Sequence, residues 1–192
     1  MWIGYEAVFN RSFAHLPAWV LCSYKTAGLP DPVRDGLWRT HPEVVATGAW
    51  NHSPSYDRAN QPLRPIGRPQ ALTDPQPIPA GDDLEAVREH LAHNLVVCGL
   101  PAAKVLDLLL ATTEVLGNAL RHGNGVKAVR VGRVRGRYAC EVVDNGAGFD
   151  DPTAGYLAPR AGRGAGLWVA RQLTWEIEFF RSAEGFTARI TA

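Results

Sequence analysis

No apolar run in this sequence approaches the roughly 18–20 residues of a membrane span, and the N-terminus lacks a charged segment followed by an apolar one. A membrane-embedded or exported protein is therefore not expected, and the cytoplasm is the expected compartment. Sulfur is scarce, with three cysteines and one methionine. Cys22, Cys98 and Cys140 are odd in number, far apart and in no metal-ligand spacing, which excludes a disulfide scaffold and a zinc ribbon and reads as reduced thiols packed as small apolar groups. Charge of neither sign dominates: 20 Lys and Arg face 19 Asp and Glu, and residues 82–192 alone carry 13 of each. Direct nucleic-acid binding and an acidic membrane surface are accordingly poor expectations.

What the chain does have is enough apolar content, 46% over 192 residues, to bury a core and a smaller second piece. Proline is concentrated: residues 51–81 hold seven of the fourteen and show almost no apolar periodicity. This composition reads as a linker over 53–81, separating an N-terminal segment (1–52) from a larger domain (82–192).

The larger domain reads as two helices, a hairpin, a loop, a helix and a second hairpin. DDLEAVREHLAHNLVVCG opens on Asp82 and Asp83, suited to a helix N-terminus, and closes at Gly99. A second helix begins after Pro101 and runs to about His122. VKAVRVGRVRGRYACEVVD alternates around a turn near Arg135–Arg137, GAGLWVARQLT supplies a helix, and WEIEFFRSAEGFTARIT turns near Ala183–Gly185. Helices and antiparallel strands in separate runs predict an α/β (α+β) fold, a two-layer sandwich with its helices on one face of a mostly antiparallel sheet. The N-terminal segment reads as a helix over Tyr5–Ala14, an apolar strand AWVLCSY and a helix from Asp31 to about Thr40, a small α/β piece.

Three stretches of the domain carry chemistry. In TTEVLGNALRHG, Glu114, Asn118 and His122 recur every four residues along one stripe of the second helix, with Asp107 and Ala111 above them. Taken alone, such a stripe is a solvated face. In VVDNGAGF, Asp144 ends an apolar strand and is followed by Gly146 and Gly148, so a carboxylate able to accept from an exocyclic amine sits beside a backbone free to turn; a plain DNG turn is the simpler alternative. In GRGAGL, Gly162, Gly164 and Gly166 precede a helix, where bare amides and the helix dipole suit phosphate oxygens. No GK[ST] follows and no βαβ unit surrounds it, which excludes a P-loop and a dinucleotide fold.

In this order the three stretches resemble the boxes of the GHKL or Bergerat-fold ATPases, the superfamily of gyrase B, histidine kinases and MutL: Glu114, Asn118, Ala119 and His122; Asp144, Gly146 and Gly148; Gly162, Gly164, Gly166 and Leu167. The resemblance implies ATP and Mg²⁺ as cofactors, with Asn118 as the Mg²⁺ ligand, Asp144 on the adenine amino group and Thr187 in a supporting hydrogen bond. It makes residues 150–161 a lid, with Arg160 and Arg163 meeting phosphate charge and Gly162 and Gly164 as hinge and cradle. The region is too short for gyrase or MutL, and none of the six histidines is followed by an acidic residue as a phosphoacceptor would be. Over residues 80–192 it is similar instead to the anti-sigma factor serine/threonine kinases, which work by partner switching between a sigma factor and a small anti-sigma factor antagonist of STAS type. On that resemblance Glu114 is the general base or orients the attacking hydroxyl, and His122 caps or packs the helix end. Two alternatives stay open: a nucleotide-gated binding module without kinase activity, and an orphan histidine-kinase-like ATPase domain. Glu6, Asn10, Cys22, Tyr24, His41 and Pro42 resemble part of the MEDS sensory domain. Cys22 and His41 alone fall short of a metal site, and Cys22 reads as a core-strand cysteine; a homodimer is one open arrangement.

Overall fold

The structure, a computed structural model, describes residues 2–56, 69–81, 83–149, 151, 153–159 and 164–192. The chain divides into two compact units, Met1–Ile66 and Gly67–Ala192.

In the first unit, α1 (Trp2–Phe13) meets α2 (Asp31–Thr40), and β1 (Glu43–Ala46) pairs with β2 (Ala49–His52). Thr47 and Gly48 both have positive φ, 54° and 78°, the conformation a two-residue hairpin turn requires. The helices approach closely because Gly36 has no side chain: a Cβ there would lie 2.3 Å from Ile3 Cδ1. Asn10 Nδ2 donates to the Thr40 carbonyl, fixing the end of α2 against α1. The expected strand AWVLCSY is not one. Residues 18–24 carry no regular structure, and Trp19, Val20 and Leu21 are exposed. Apolar content makes a strand only where the backbone pairs, and this segment pairs with neither strand of the two-stranded β1–β2 sheet. Cys22 is therefore not a core-strand cysteine; it is half-buried on an irregular segment.

The second unit contains β3 (Thr73–Ile78), α3 (Leu84–Val97), α4 (Ala102–His122), β4 (Val126–Val134), β5 (Arg137–Asp144), α5 (Gly166–Leu173), β6 (Glu176–Arg181) and β7 (Phe186–Thr191). The strands form one antiparallel sheet in the order β3-β4-β5-β7-β6. Leu91 and Leu95 of α3 and Leu108 and Leu116 of α4 pack into one core with Val129, Val131, Val142 and Ile190 of the sheet. Such burial contributes about 1.5–3 kcal/mol per large aliphatic side chain, so this layer dominates the domain's stability. The two-layer α/β sandwich is what the order of elements predicts. Asp83 caps α3, accepting from the amides of Glu85 and Ala86 at 3.0 and 3.2 Å; Asp82, expected beside it, lies outside the described residues. Among the described residues no helix is long and apolar enough to cross a membrane.

One strand comes from the stretch expected to be linker. β3 (TDPQPI) pairs with β4 at the sheet's edge, Gln76 opposite Val131 and Ile78 opposite Val129, after an irregularity between Thr73 and Gln76. An edge strand tolerates Pro75 and Pro77 because its outer side needs no N–H donors, and Ile78 is buried in the core.

Candidate nucleotide site

The polar stripe of α4 is not a uniform solvated face. Asp107 at its start makes a surface ion pair with Lys104 at 3.2 Å, but Ala111 is fully buried, and Glu114 and Asn118 are half-buried. The apolar side of the helix, Leu108, Thr112, Val115, Leu116 and Ala119, is held in the core, so its rotation about its own axis is fixed and the stripe is presented along one flank. His122 ends the helix exposed.

Glycine lets two other segments close on this helix. A Cβ at Gly166, the first residue of α5, would lie 2.5 Å from Glu114 Oε2. The N-terminus of α5 therefore abuts the Glu114 carboxylate, a placement the helix dipole favours. At the far end of α4, a Cβ on Gly123 would lie 2.5 Å from Asp144 Cγ, and one on Gly146 would lie 2.8 Å from Gly123 Cα. The helix stop and the turn after β5 are thus nested, with Asn145 N donating to Gly125 O at 3.4 Å. Gly123 was not singled out in the sequence because a glycine ending a helix needs no further reason.

Asp144 is half-buried and accepts from Gly146 N–H at 2.8 Å. Burial raises its carboxyl above the ordinary carboxylate range, and the Gly146 amide opposes that only in part. Such an under-solvated carboxylate gains from a further donor, which an exocyclic amine supplies. Gly148, at φ 63°, lies against the Phe186 ring, where a Cβ would come within 2.2 Å, and Phe149 packs on Phe179 and Phe186 with centroids 4.8 and 5.3 Å away.

Thr187 is a correction. In the β5–β7 register Asp144 stands opposite Phe186 and Val143 opposite Thr187. Asp144 thus shares the face of Val142 and Ala188, which pack on the helices, and Thr187, 2% exposed, lies on the other. Side chains alternate across a sheet, so a register one residue out exchanges the faces.

Asn118 Oδ1 accepts from Arg121 Nη2 at 3.0 Å, a surface contact one turn along. Arg121 was missed in the sequence, where it reads as a helix-end cation. Of the expected lid, residues 151 and 153–159 are described. Asp151 Oδ1 accepts from Thr153 N at 2.9 Å, and Thr153 O accepts from Tyr156 N at 3.0 Å, making a compact turn. Arg171 of α5, 7% exposed, fastens this turn: Nε donates to Ala154 O at 2.8 Å, Nη1 to Ile177 O at 3.2 Å, and the guanidinium lies 4.0 Å from the Tyr156 ring centroid. It too escaped the sequence reading, since a lone arginine on an amphipathic helix usually marks the solvent side. Arg171→Ala is expected to cost about 2–4 kcal/mol in urea unfolding, from two charge-assisted bonds and a ring contact, and to speed proteolytic cleavage within 151–159. Unchanged cleavage would show that the loop is held by other contacts. Arg160, Gly162 and Arg163 lie outside the described residues, while Gly164 has open space around it and Leu167 packs on the core.

The structure thus brings Glu114 to Gly166, and Asp144 with Gly146 to the C-terminal end of the helix that carries Asn118. No curated protein matches the chain. Residues 79–192 match the family model of the histidine kinase-like ATPase domain, a match that spans the three helices, both hairpins and every described residue of this site. The chain belongs to the histidine kinase-like ATPase family, and ATP is its ligand.

Proposed function

We propose that this protein is a serine/threonine kinase of the partner-switching kind: it holds a sigma factor on one face and phosphorylates a small anti-sigma factor antagonist of STAS type. The observation that carries this reading is the Glu114 carboxylate set against Gly166 at the start of α5. That is where the glycine-rich stretch would present amides to the terminal phosphates, so a base there faces the bond that reacts.

Asp144 would accept from the adenine amino group, with Gly146 and Gly148 letting the base approach. Arg160, Arg163 and Gly164 would meet the phosphates, and Gly162 would let the lid hinge. The donor set suits Mg²⁺, a hard cation that takes oxygen ligands and retains waters: Asn118 is half-buried, its amide oxygen accepts among the described residues from the surface cation Arg121, and Glu114 is one turn away. When bound, Mg²⁺ supplies charge neutralisation at the phosphate oxygens. Glu114 accepts the proton of the attacking serine or threonine hydroxyl as the new O–P bond forms and the bond from the γ-phosphorus to the bridging oxygen breaks, leaving ADP. Most of the acceleration comes from positioning and charge neutralisation.

The test is incubation of the purified full chain with Mg²⁺ and γ-labelled ATP, alone and with candidate antagonist proteins. Label on an antagonist serine or threonine is the expected result. Label on the chain's own histidine would replace this reading with a histidine kinase. Tight nucleotide binding with no label on any antagonist, together with capture of a sigma factor only when nucleotide is present, would make it a nucleotide-gated binder.

A further inference from the structure

The first unit brings together three side chains that the sequence keeps well apart. Glu6 is in the middle of α1, Cys22 is on the irregular segment that follows, and His41 caps the end of α2. One carboxylate oxygen, the thiol sulfur and one ring nitrogen of these residues all lie within 4.8 Å of one another, and each residue is half-buried. We propose that Glu6, Cys22 and His41 are three protein ligands of a zinc-type divalent metal site whose fourth position is open to water or a small exogenous ligand.

The surroundings of His41 argue for a cation. Its Nδ1 is 3.0 Å from the Leu37 carbonyl, which can only accept, and 3.1 Å from the Thr40 hydroxyl, which can do either; the tautomer with the proton on Nδ1 answers the carbonyl and leaves the Nε2 lone pair for another partner. Nε2 is turned towards Glu6 Oε2 at 3.7 Å. In that tautomer the two atoms face each other as acceptors, which repel unless a metal cation or a proton on Nε2 stands between them, and 3.7 Å is longer than a hydrogen bond. It is close to an edge of a tetrahedral site, roughly 3.3–3.8 Å for bonds of about 2.0–2.3 Å. A ligating histidine ordinarily gives its other N–H to a carbonyl in this way.

Glu6 and the loop are braced similarly. The Tyr24 hydroxyl donates to Glu6 Oε1 at 2.8 Å, leaving Oε2 for the site, and the Tyr24 ring packs edge-on to His41 at 5.6 Å. Tyr24 is two residues beyond Cys22, so one extended stretch supplies both a ligand and the group that orients another. Asn10, one turn along α1 from Glu6, ties that helix to the Thr40 carbonyl beside His41. The mixture of sulfur, nitrogen and a single carboxylate oxygen selects a borderline ion such as Zn²⁺ over Mg²⁺ or Ca²⁺, and three protein ligands are the number found where zinc keeps a coordination position free.

The test is titration of the untagged full chain, stripped by chelator, with Co²⁺ in the absence of nucleotide. One equivalent should bind, giving a near-ultraviolet sulfur-to-cobalt charge-transfer band with the intense visible bands of a four-coordinate ion, and Zn²⁺ should displace it. Cys22→Ser should abolish the charge-transfer band and Cys98→Ala should leave it. Tyr24→Phe, a positioning change, should weaken binding about 10–100-fold. Because the wild-type spectrum is itself decisive, its lack of a sulfur band would overturn the proposal even if a variant failed to fold. A band that persists in Cys22→Ser would overturn it equally.

Discussion

Glu114→Gln is expected to bind ADP as the wild type does while transfer from ATP falls about 10²–10⁴-fold, the usual range for removal of a general base. Glutamine keeps the length and shape that fit against Gly166 and loses the proton-accepting charge, so packing and chemistry are separated. Rates should be read under single-turnover conditions, with nucleotide affinity measured in parallel. A fully active variant would retire the general-base role and leave Glu114 as a packing residue for α5. A parallel loss of ADP affinity would mean that the carboxylate acts mainly on the metal or the phosphates.

Asn118→Ala is expected to abolish Mg²⁺-dependent nucleotide binding. Loss of a metal's direct protein ligand should exceed the about 10–100-fold lost when an outer partner is removed. The fold should be little affected, because Asn118 is half-buried and its described hydrogen bond is to the exposed Arg121. Calorimetric titration of ADP with Mg²⁺ and with chelator reads the effect: the wild type should gain affinity from Mg²⁺ and the variant should not. Wild-type-like affinity in the variant would remove Asn118 as the metal residue. The two variants are therefore complementary, one expected to fail at turnover and the other at binding.

The domain's sandwich was readable because periodicity and caps agree: Leu91 and Leu95 on α3, Leu108 and Leu116 on α4, and the alternation through Val129, Val131, Cys140 and Val142 all mark the same interior. The i, i+4 stripe was readable for the same reason. What escaped depends on pairing partners. β3 looked like linker because Pro75 and Pro77 argue against a strand, yet at an edge they satisfy one. AWVLCSY looked like a strand because apolar content is local, while the ladder it needs is not. Thr187 was misplaced by one register step, which is invisible without knowing that Asp144 pairs with Phe186. Cys22 and His41 were visible as candidates, but Glu6 had no reason to join them until α1 was folded against α2.

The edge strand bears on how this domain is isolated. The family match begins at Pro79, one residue beyond Ile78, where β3 ends. Cutting the chain at that boundary would strip the outer flank of β4 over Val129–Arg133 and leave backbone amides and carbonyls of that valine-rich strand unanswered. A fragment trimmed to the matched residues would thus present an adhesive margin to its neighbours, whereas one starting at Gly67 would carry its own proline-studded selvedge.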